Sequence, residues 1–446
     1  MNMARKFEVW RSWVVGAGLI VSASLFAAEG PLLEPLGGWQ VRATASGVSA
    51  ELTVDPPDLV SVADEKYDAL AVFQGPVWRR GTPLQGTRAE ACSVADALEP
   101  GSLTVRDGAG PVAKTYQLGK DYQLEPRWGG FGRLEGGTIP PDKPVFASYR
   151  YALMRLDSVI LTPDKKLTLR KGVPNVATPR PPDLAEGETR VGNVWLSGRI
   201  DKLTPANCFP VLETAYPEPP RAVPSVAERL LPKTVAKLKS GRPVKILAWG
   251  DSVTECVYLP WEQKWQEQFA ARLRERFPQA SIIMLSEGWG GRTTTAYRNE
   301  PKGSPRNFAD KVLGLKPDLI VSEFINDASM DEAAVLDNYG EILKDFQRIG
   351  AEWVILTPHY ARPDWMGLKQ EREIDQDPRP YVRGLRLFAQ NNRVALADAS
   401  LRWGRLWRQG LPYSTLLVNN INHPDERGMK LFADTLVELF GSTGPK

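Results

Sequence analysis

Serine and histidine are the two residue types in this sequence that could together carry out nucleophilic acyl transfer. Ser252 directly follows the apolar run 244–249, a predicted buried strand, and it opens a helical pattern. A serine placed there has an exposed hydroxyl and a backbone N–H at the positive end of a helix. A helix N-cap is an equally good interpretation of Ser252 taken alone. The chain has only two histidines, so a base for this serine must be His359 or His423.

Two further segments follow predicted strands and could bind a developing negative charge. The segment 287–294 is rich in glycine, which lets the backbone approach a ligand closely and present N–H donors, although a plain turn is the alternative. Asn326 follows the predicted strand 319–323, where its amide could donate to an oxyanion or close an Asx-turn. His423 stands in a polar loop before Pro424, and such a loop is an improbable place for a core histidine.

In their order along the chain, these segments resemble the SGNH hydrolases, also called the GDSL-like esterase family, over residues 244–439. The resemblance implies a three-layer, flavodoxin-like α/β fold and ester hydrolysis through an acyl-enzyme. Ser252 would attack the ester carbonyl, and His423 would move the proton. The backbone N–H groups of Ser252 and Gly291 and the side-chain amide of Asn326 would stabilise the oxyanion.

The sequence departs from the family pattern at two positions. Phe324 replaces a glycine two residues before Asn326, which predicts a narrower pocket. Asn420 replaces the usual aspartate three residues before His423; it can accept an N–H bond from the imidazole but supplies no charge. Either His423 forms a dyad with Ser252 and uses a backbone or distant acid partner, or the activity is weak.

Three more residues are predicted to contact the substrate. Trp289 lies beside the oxyanion glycine, where an indole could stack on a sugar, and Arg292 belongs to the same segment. His359 follows the fourth predicted strand, and its alternative role is to support its own loop.

The chain of 446 residues is long enough for two domains, and the pattern of its predicted secondary structure changes midway. Short strand-like runs at 115–118, 145–151 and 158–161 predict a β-sandwich-like domain, or a pair of small β-modules, over 29–211. A proline-rich connector is predicted at 212–240. Strands then alternate with helices over 241–446, which indicates a parallel sheet with helices on both faces. The predicted strands are 244–249, 281–285, 319–323, 353–357 and 394–397, and the predicted helices are 261–277, 331–349, 380–391 and 425–440.

Composition and the N-terminus restrict the partners. With 56 Lys+Arg against 53 Asp+Glu the chain lacks the basic excess of a nucleic-acid-binding protein. Two His and three Cys make a zinc cluster improbable, and no metal or cofactor is expected. Residues 1–28 resemble a signal peptide, so we expect a secreted or periplasmic protein with no stable membrane span after cleavage. Export would allow Cys92 and Cys208 to form a disulfide, unless all three cysteines are buried thiols.

Together these features predict an exported serine esterase that acts on a small-molecule or polysaccharide ester, most simply an O-acetylated carbohydrate. Two alternatives stay open from the residues. One is a non-catalytic carbohydrate-binding or cell-surface protein on a degenerate SGNH scaffold, which Asn420 favours. The other is a lipid or thioester hydrolase, although no long apolar segment lies near the motifs.

Overall fold

The structure is a computed structural model that describes residues 30–75, 78, 81–220, 222–374 and 376–441. The predicted signal peptide at 1–28 lies outside the described residues. Within the described ranges, none of the helices combines the length and the apolar character needed to cross a membrane.

The N-terminal region is built from strands that pair antiparallel in four small sheets. Its described strands are β1 (Leu32–Gly37), β2 (Gln40–Ala45), β3 (Val48–Thr53), β4 (Leu59–Tyr67), β5 (Thr82–Pro83), β6 (Thr104–Arg106), β7 (Tyr122–Glu125), β8 (Gly130–Arg133), β9 (Val145–Ala152), β10 (Arg155–Leu161), β11 (Leu167–Arg170), β12 (Thr189–Leu196) and β13 (Cys208–Pro210).

These sheets pack in two pairs, each around its own apolar core. The sheet β1-β2-β3 covers the sheet β11-β10-β12-β13, with Val41 and Val194 fully buried between them. The sheets β4-β9-β6 and β5-β8-β7 enclose a second core that contains Phe131 and Val145. The predicted β-rich, sandwich-like domain is therefore confirmed. The predicted strand at 115–118 is wrong, because that segment forms only isolated bridges.

The C-terminal region alternates strands and helices, as its sequence pattern predicts. Its described elements are α1 (Val226–Leu230), α2 (Pro232–Ser240), β14 (Val244–Gly250), α3 (Ser252–Glu255), α4 (Trp265–Arg276), β15 (Ile282–Gly288), α5 (Thr294–Asn299), β16 (Leu319–Glu323), α6 (Glu332–Ile349), β17 (Glu352–Leu356), α7 (Pro380–Asn392), β18 (Ala395–Ala397), α8 (Ala399–Arg405) and α9 (Glu426–Glu438). The predicted connector at 212–240 thus includes the two short helices α1 and α2.

The five C-terminal strands form one parallel sheet in the order β15-β14-β16-β17-β18, which is the flavodoxin-like order. Helices cover both faces: α4 and α9 pack together on one core, and α6 and α7 pack together on the other. In α6, Val335, Tyr339, Ile342 and Phe346 recur every three or four residues and are buried, so one face of the helix lies on the sheet. The predicted three-layer α/β fold is confirmed.

The two regions pack against each other through a shared apolar cluster. Met154 and Phe209 of the β region are buried together with Trp407 of the α/β region. Beside this cluster, the Asn193 side chain donates to the Gly410 carbonyl at 2.6 Å. The contact between the two regions therefore combines buried apolar side chains with a buried hydrogen bond.

Candidate active site

Ser252 is the first residue of α3, directly after β14 reaches the carboxyl edge of the sheet. The N-cap of this helix is Asp251, whose Oδ1 accepts the Val253 N–H. The Ser252 hydroxyl is therefore not used as a cap, and its Oγ lies 3.0 Å from Nε2 of His423. The structure brings together the two residues that the sequence predicts as nucleophile and base.

One asparagine side chain makes three hydrogen bonds to the loop that carries His423. Oδ1 of Asn419 accepts the backbone N–H groups of Ile421, Asn422 and His423 at 2.8–3.0 Å. The ring of Tyr258 stacks parallel on the imidazole, with 4.6 Å between ring centroids and 3° between planes. These contacts fix the orientation of the imidazole. The sequence did not predict this role of Tyr258.

The other imidazole nitrogen contacts an acid from the β region. Nδ1 of His423 lies 2.5 Å from Oε2 of Glu90, a residue 333 positions earlier in the chain. Sequence reasoning missed Glu90, since no motif surrounds it and nothing in the sequence indicates its contact with the histidine loop. The side chain is 26% exposed and that of His423 is 9% exposed, so the pair is largely shielded from water.

Asn420 does not support His423 as the sequence suggests. Its backbone is left-handed, with φ of 53°, and its Nδ2 lies 3.8 Å from Sδ of Met154. The side chain therefore faces the β region, while Glu90 takes the place at Nδ1. The predicted supporting role of Asn420 is corrected by this geometry.

Two of the three predicted oxyanion donors are backbone N–H groups. Within the described residues, neither the Ser252 N–H nor the Gly291 N–H donates to another protein group. Gly291 has a φ of 73°, which favours glycine, whereas the neighbouring Gly290 N–H is bound to Oε2 of Glu255. A β-carbon on Gly290 would lie 3.8 Å from that of Ser252, so this loop borders the nucleophile.

The third predicted donor, Asn326, is held by the residue before the nucleophile. Oδ2 of Asp251 accepts both the backbone N–H and the side-chain Nδ2 of Asn326 at 2.9 Å. One hydrogen of the Asn326 amide is thus committed to Asp251, and the second is available for a substrate oxygen. Asp251 is a further functional residue, and the sequence did not predict its role.

Three acidic side chains are sealed beneath this edge of the sheet. Burial raises the pKa of Asp251 and raises that of Glu323 well above its ordinary value. Asp251 accepts three N–H donors, which stabilise its charged form, whereas both carboxyl oxygens of Glu323 lack a hydrogen-bond partner in the described residues. Asp251 is therefore the ionised carboxylate of this pair, and Glu323 is the protonated carboxylic acid. Burial also raises the pKa of Asp327 to about 6.

The predicted substrate contacts Trp289 and Arg292 form one unit next to Gly291. The guanidinium carbon of Arg292 lies 4.4 Å from the centre of the Trp289 ring. Trp289 is half-buried and Arg292 is exposed, so the arginine is the outer member of the pair. Stacking of a sugar on this face of Trp289 would require Arg292 to move aside.

His359 and Phe324 do not line the site. His359 is fully buried between Trp403 and Phe432, its Nε2 contacts the Asn422 carbonyl at 2.8 Å, and burial lowers its pKa well below the ordinary value. It therefore supports the histidine loop and makes no predicted substrate contact. Phe324 packs in the core on Trp249, with 4.7 Å between ring centroids, so the predicted narrowing of the pocket is wrong.

The three cysteines are buried thiols, and no disulfide joins any of them. Burial raises the pKa of Cys208 and Cys256 to about 11, so both stay protonated at neutral pH. Of the two possibilities that the sequence left open, buried thiols match the structure.

Comparison with known proteins gives one family and several distant structural likenesses. Residues 248–431 match the GDSL-like Lipase/Acylhydrolase family, and this match supports a carboxylic ester hydrolase. No curated protein matches the chain.

Three solved structures resemble part of the chain. The first is a variant of an acetyl xylan esterase from Geobacillus stearothermophilus, with 16% identity over 46% of this chain and 97% of that one, and a TM-score of 0.36. The second is an α/β hydrolase from the metagenome of Lake Arreo, Spain, with 18% identity over 45% of this chain and 97% of that one, and a TM-score of 0.36. The third is a two-domain esterase active on acetylated mannans, with 17% identity over 48% of this chain and 55% of that one, and a TM-score of 0.38.

Proposed function

Since residues 248–431 are a GDSL-like lipase/acylhydrolase domain, we propose that the chain is an exported serine esterase that removes O-acetyl groups from a carbohydrate. The observation that carries the esterase chemistry is the 3.0 Å contact between Ser252 Oγ and His423 Nε2. A serine in hydrogen-bond reach of an oriented imidazole is the arrangement that acyl transfer needs.

In the acylation half of the reaction, Ser252 Oγ attacks the carbonyl carbon while its proton passes to Nε2 of His423. The carbonyl oxygen becomes an oxyanion, which the N–H groups of Ser252 and Gly291 and the free amide hydrogen of Asn326 would stabilise. When the intermediate collapses, the ester bond to the sugar oxygen breaks, and Nε2 gives its proton to that oxygen. The acyl group is then bound to Ser252.

In the deacylation half, water takes the place of the sugar hydroxyl. His423 Nε2 removes a proton from water as its oxygen attacks the acyl carbonyl, and the same donors hold the second oxyanion. Collapse breaks the bond to Oγ, and Nε2 returns the proton to Ser252. The products are a free carboxylic acid and the unchanged enzyme.

The side chains around the site favour a polar, sugar-like alcohol over a lipid. Arg292 is exposed beside Gly291 and carries five N–H donors for hydroxyl and carbonyl oxygens. Trp261, three residues after Tyr258, is 53% exposed, with the Lys264 ammonium 5.1 Å from the ring centre. An exposed indole can stack on the C–H groups of a sugar ring. A long acyl chain would instead need a broad apolar surface.

Export is the part of the proposal that rests on the sequence alone. Residues 5–28 combine a basic start with an apolar run that ends in small residues. Expression of the full chain in a bacterial host, followed by fractionation and mass spectrometry of the mature N-terminus, tests it. We expect cleavage close to residue 28; an uncleaved cytosolic chain would contradict export.

A comparison of ester chain lengths tests the esterase and its acyl preference. Wild type, Ser252→Ala and the control Ser240→Ala, which alters an exposed serine at the end of α2, are assayed on p-nitrophenyl acetate, butyrate and octanoate. We expect Ser252→Ala to lose about 10⁴-fold or more in kcat, and Ser240→Ala to behave as wild type. Equal background rates for all three proteins would favour the binding-protein alternative, and a preference for octanoate would favour a lipid hydrolase.

The alcohol is identified by acetate release from acetylated polymers and sugars. Acetylated xylan, acetylated pectin and O-acetylated sialic acid are incubated with wild type and with Ser252→Ala. We expect acetate from at least one of them with wild type only. Activity on p-nitrophenyl acetate without acetate from any carbohydrate would remove the carbohydrate from the proposal and leave the esterase.

A further inference from the structure

We propose that Glu90, on the N-terminal β region, is the positioning acid of His423, so that both regions of the chain build one active site. This inference rests on the proposed esterase function and deepens it. It follows from one juxtaposition: Oε2 of Glu90 lies 2.5 Å from Nδ1 of His423, on the side of the imidazole opposite Ser252. Among the described residues of 248–431, no carboxylate contacts this nitrogen.

The turn that carries Glu90 has a defined shape. The Ala89 N–H donates to the Cys92 carbonyl at 2.8 Å, and the Val94 N–H donates to the Thr87 carbonyl at 2.8 Å. Ala91, at the tip, has a left-handed backbone with φ of 58°. These bonds close a narrow turn that presents Glu90 beside its tip.

The same turn is docked on the histidine loop by its backbone and by a cysteine. The Glu90 N–H donates to the Val418 carbonyl at 3.4 Å, and the Cys92 thiol donates to the Asn419 carbonyl at 3.4 Å. The Val418 N–H in turn donates to the His423 carbonyl at 2.8 Å. Glu90 and His423 are therefore joined through two adjacent loops as well as through their side chains.

A core-like interface keeps the turn in this place. Val94 and Met154 are buried in the same apolar cluster as Trp407 of the α/β region. At the rim, Arg127 forms an ion pair with Asp364 at 2.5 Å. Apolar packing and an ion pair between the two regions therefore hold the turn of Glu90 against the histidine loop.

Glu90 supplies the carboxylate at Nδ1 of His423 that Asn420 does not supply. For Nε2 to accept the Ser252 proton, Nδ1 must carry the other ring hydrogen, and a carboxylate at Nδ1 holds the imidazole in that tautomer. When Nε2 gains the proton, the imidazolium lies against the negative charge of Glu90. Because both side chains are mostly shielded from water, this attraction is stronger than between exposed ions.

Kinetics on the full chain distinguish a positioning acid from an ion pair that only holds the two regions together. Wild type, Glu90→Gln, Glu90→Asp and the control Glu135→Gln, which alters an exposed glutamate of the β region, are assayed on p-nitrophenyl acetate from pH 5 to 9. We expect Glu90→Gln to lose about 10²- to 10⁴-fold in kcat with KM within about threefold, since replacing the triad aspartate with asparagine in another serine hydrolase costs about 10⁴-fold. The acidic limb of its kcat/KM profile should move to lower pH, because a neutral amide stabilises imidazolium less than a carboxylate does.

Glu90→Asp should recover part of the lost turnover, since it restores the charge at a slightly greater distance, and Glu135→Gln should match wild type. A merely structural role would lower the melting temperature of Glu90→Gln without moving the pH profile. Turnover of a folded Glu90→Gln within threefold of wild type, with an unchanged pH profile, would overturn the inference.

A readout that does not depend on ester turnover separates this inference from the proposed function. The chain has two histidines, so the ring N–H protons of ¹⁵N-histidine-labelled protein give few signals. We expect one far-downfield proton in wild type that disappears in Glu90→Gln and persists in Ser252→Ala. If wild type hydrolyses no ester but this signal behaves as described, the proposed function fails and the Glu90–His423 contact stands. If the signal is the same in wild type and Glu90→Gln, the contact itself is refuted.

Discussion

Two regions meet at the candidate site, and they are built in different ways. The strand-end region, defined as Asp251–Ser252, Gly290–Gly291 and Asn326, follows three adjacent parallel strands, β14, β15 and β16. Its parts converge because the carboxyl ends of parallel strands share one edge of the sheet. The Glu90 turn, residues 87–94, belongs to another region and reaches the site only when the two regions pack. The strand ends meet because of the geometry of one sheet, whereas Glu90 reaches His423 only because the two regions of the chain pack together.

The acids of the two regions also differ in what they can do. Asp251, Glu323 and Asp327 are sealed beneath the sheet edge, where burial raises the pKa of each. Asp251 uses its charge to hold Asn326, and Asp327 accepts from Thr294 and Tyr339. None of them contacts His423, and the carboxylate that does so is the partly exposed Glu90. In this molecule the buried acids Asp251 and Asp327 hold neighbouring N–H and hydroxyl groups, and the interface acid Glu90 contacts the base.

Apart from loss of the nucleophile Ser252, the largest expected effect within the strand-end region comes from removing the Asn326 amide. Asn326→Ala should lower kcat on p-nitrophenyl acetate by about 10²- to 10³-fold with little change in KM, because loss of one oxyanion donor acts on the transition state. The control Asn391→Ala changes an exposed asparagine of α7 and should behave as wild type. If Asn326→Ala retained wild-type kcat, Asn326 would be no oxyanion donor. The proposed role of Glu90 would be unaffected by that result.

The same contrast explains which parts of the fold and of the site could be predicted from the sequence. The strand 319–323 was predicted to the residue, and Ser252, Gly291, Asn326 and His423 were placed after the correct elements, since apolar periodicity and short motifs are local signals. Glu90 could not be found, because its role depends on the docking of one loop on another across 333 positions. His359 was assigned to the substrate for a related reason: a strand end predicts proximity to the site, but burial depends on tertiary packing.

A smaller effect, on stability, should follow from the buried acids of the strand-end region. The pKa of Asp327 rises from 3.8 to about 6 in the folded chain because of burial. The folded form therefore binds the proton more tightly, and the contribution of this carboxyl to stability is fully present below about pH 4 and is lost as pH rises through about 6. Between pH 4 and 7 the free energy of unfolding of wild type should fall relative to that of Asp327→Asn by about 2–3 kcal/mol.

Urea unfolding of both proteins at half-unit pH steps measures this difference. Thr294→Val serves as a second variant, since it removes the hydroxyl that donates to Oδ2 of Asp327 at 2.6 Å and stabilises the charged form. That variant should show a steeper loss of stability with rising pH than wild type. Parallel curves for wild type and Asp327→Asn would contradict a raised pKa of Asp327.

The smallest effect is expected where the family pattern predicts the largest, at Asn420. If the α/β region could supply its own acid, Asn420→Asp would raise turnover many-fold and would restore activity to Glu90→Gln. The structure predicts neither, because the left-handed backbone at Asn420 directs its side chain to Met154 and Glu90 already contacts Nδ1. We expect kcat/KM of Asn420→Asp to stay within about twofold of wild type, and the double variant to be as slow as Glu90→Gln alone, since a residue that touches neither substrate nor base changes transition-state binding little. Asn391→Asp is the charge control. High turnover of the Glu90→Gln, Asn420→Asp double variant would mean that an acid at position 420 can replace Glu90 as the partner of His423. The β region would then not be required for that role.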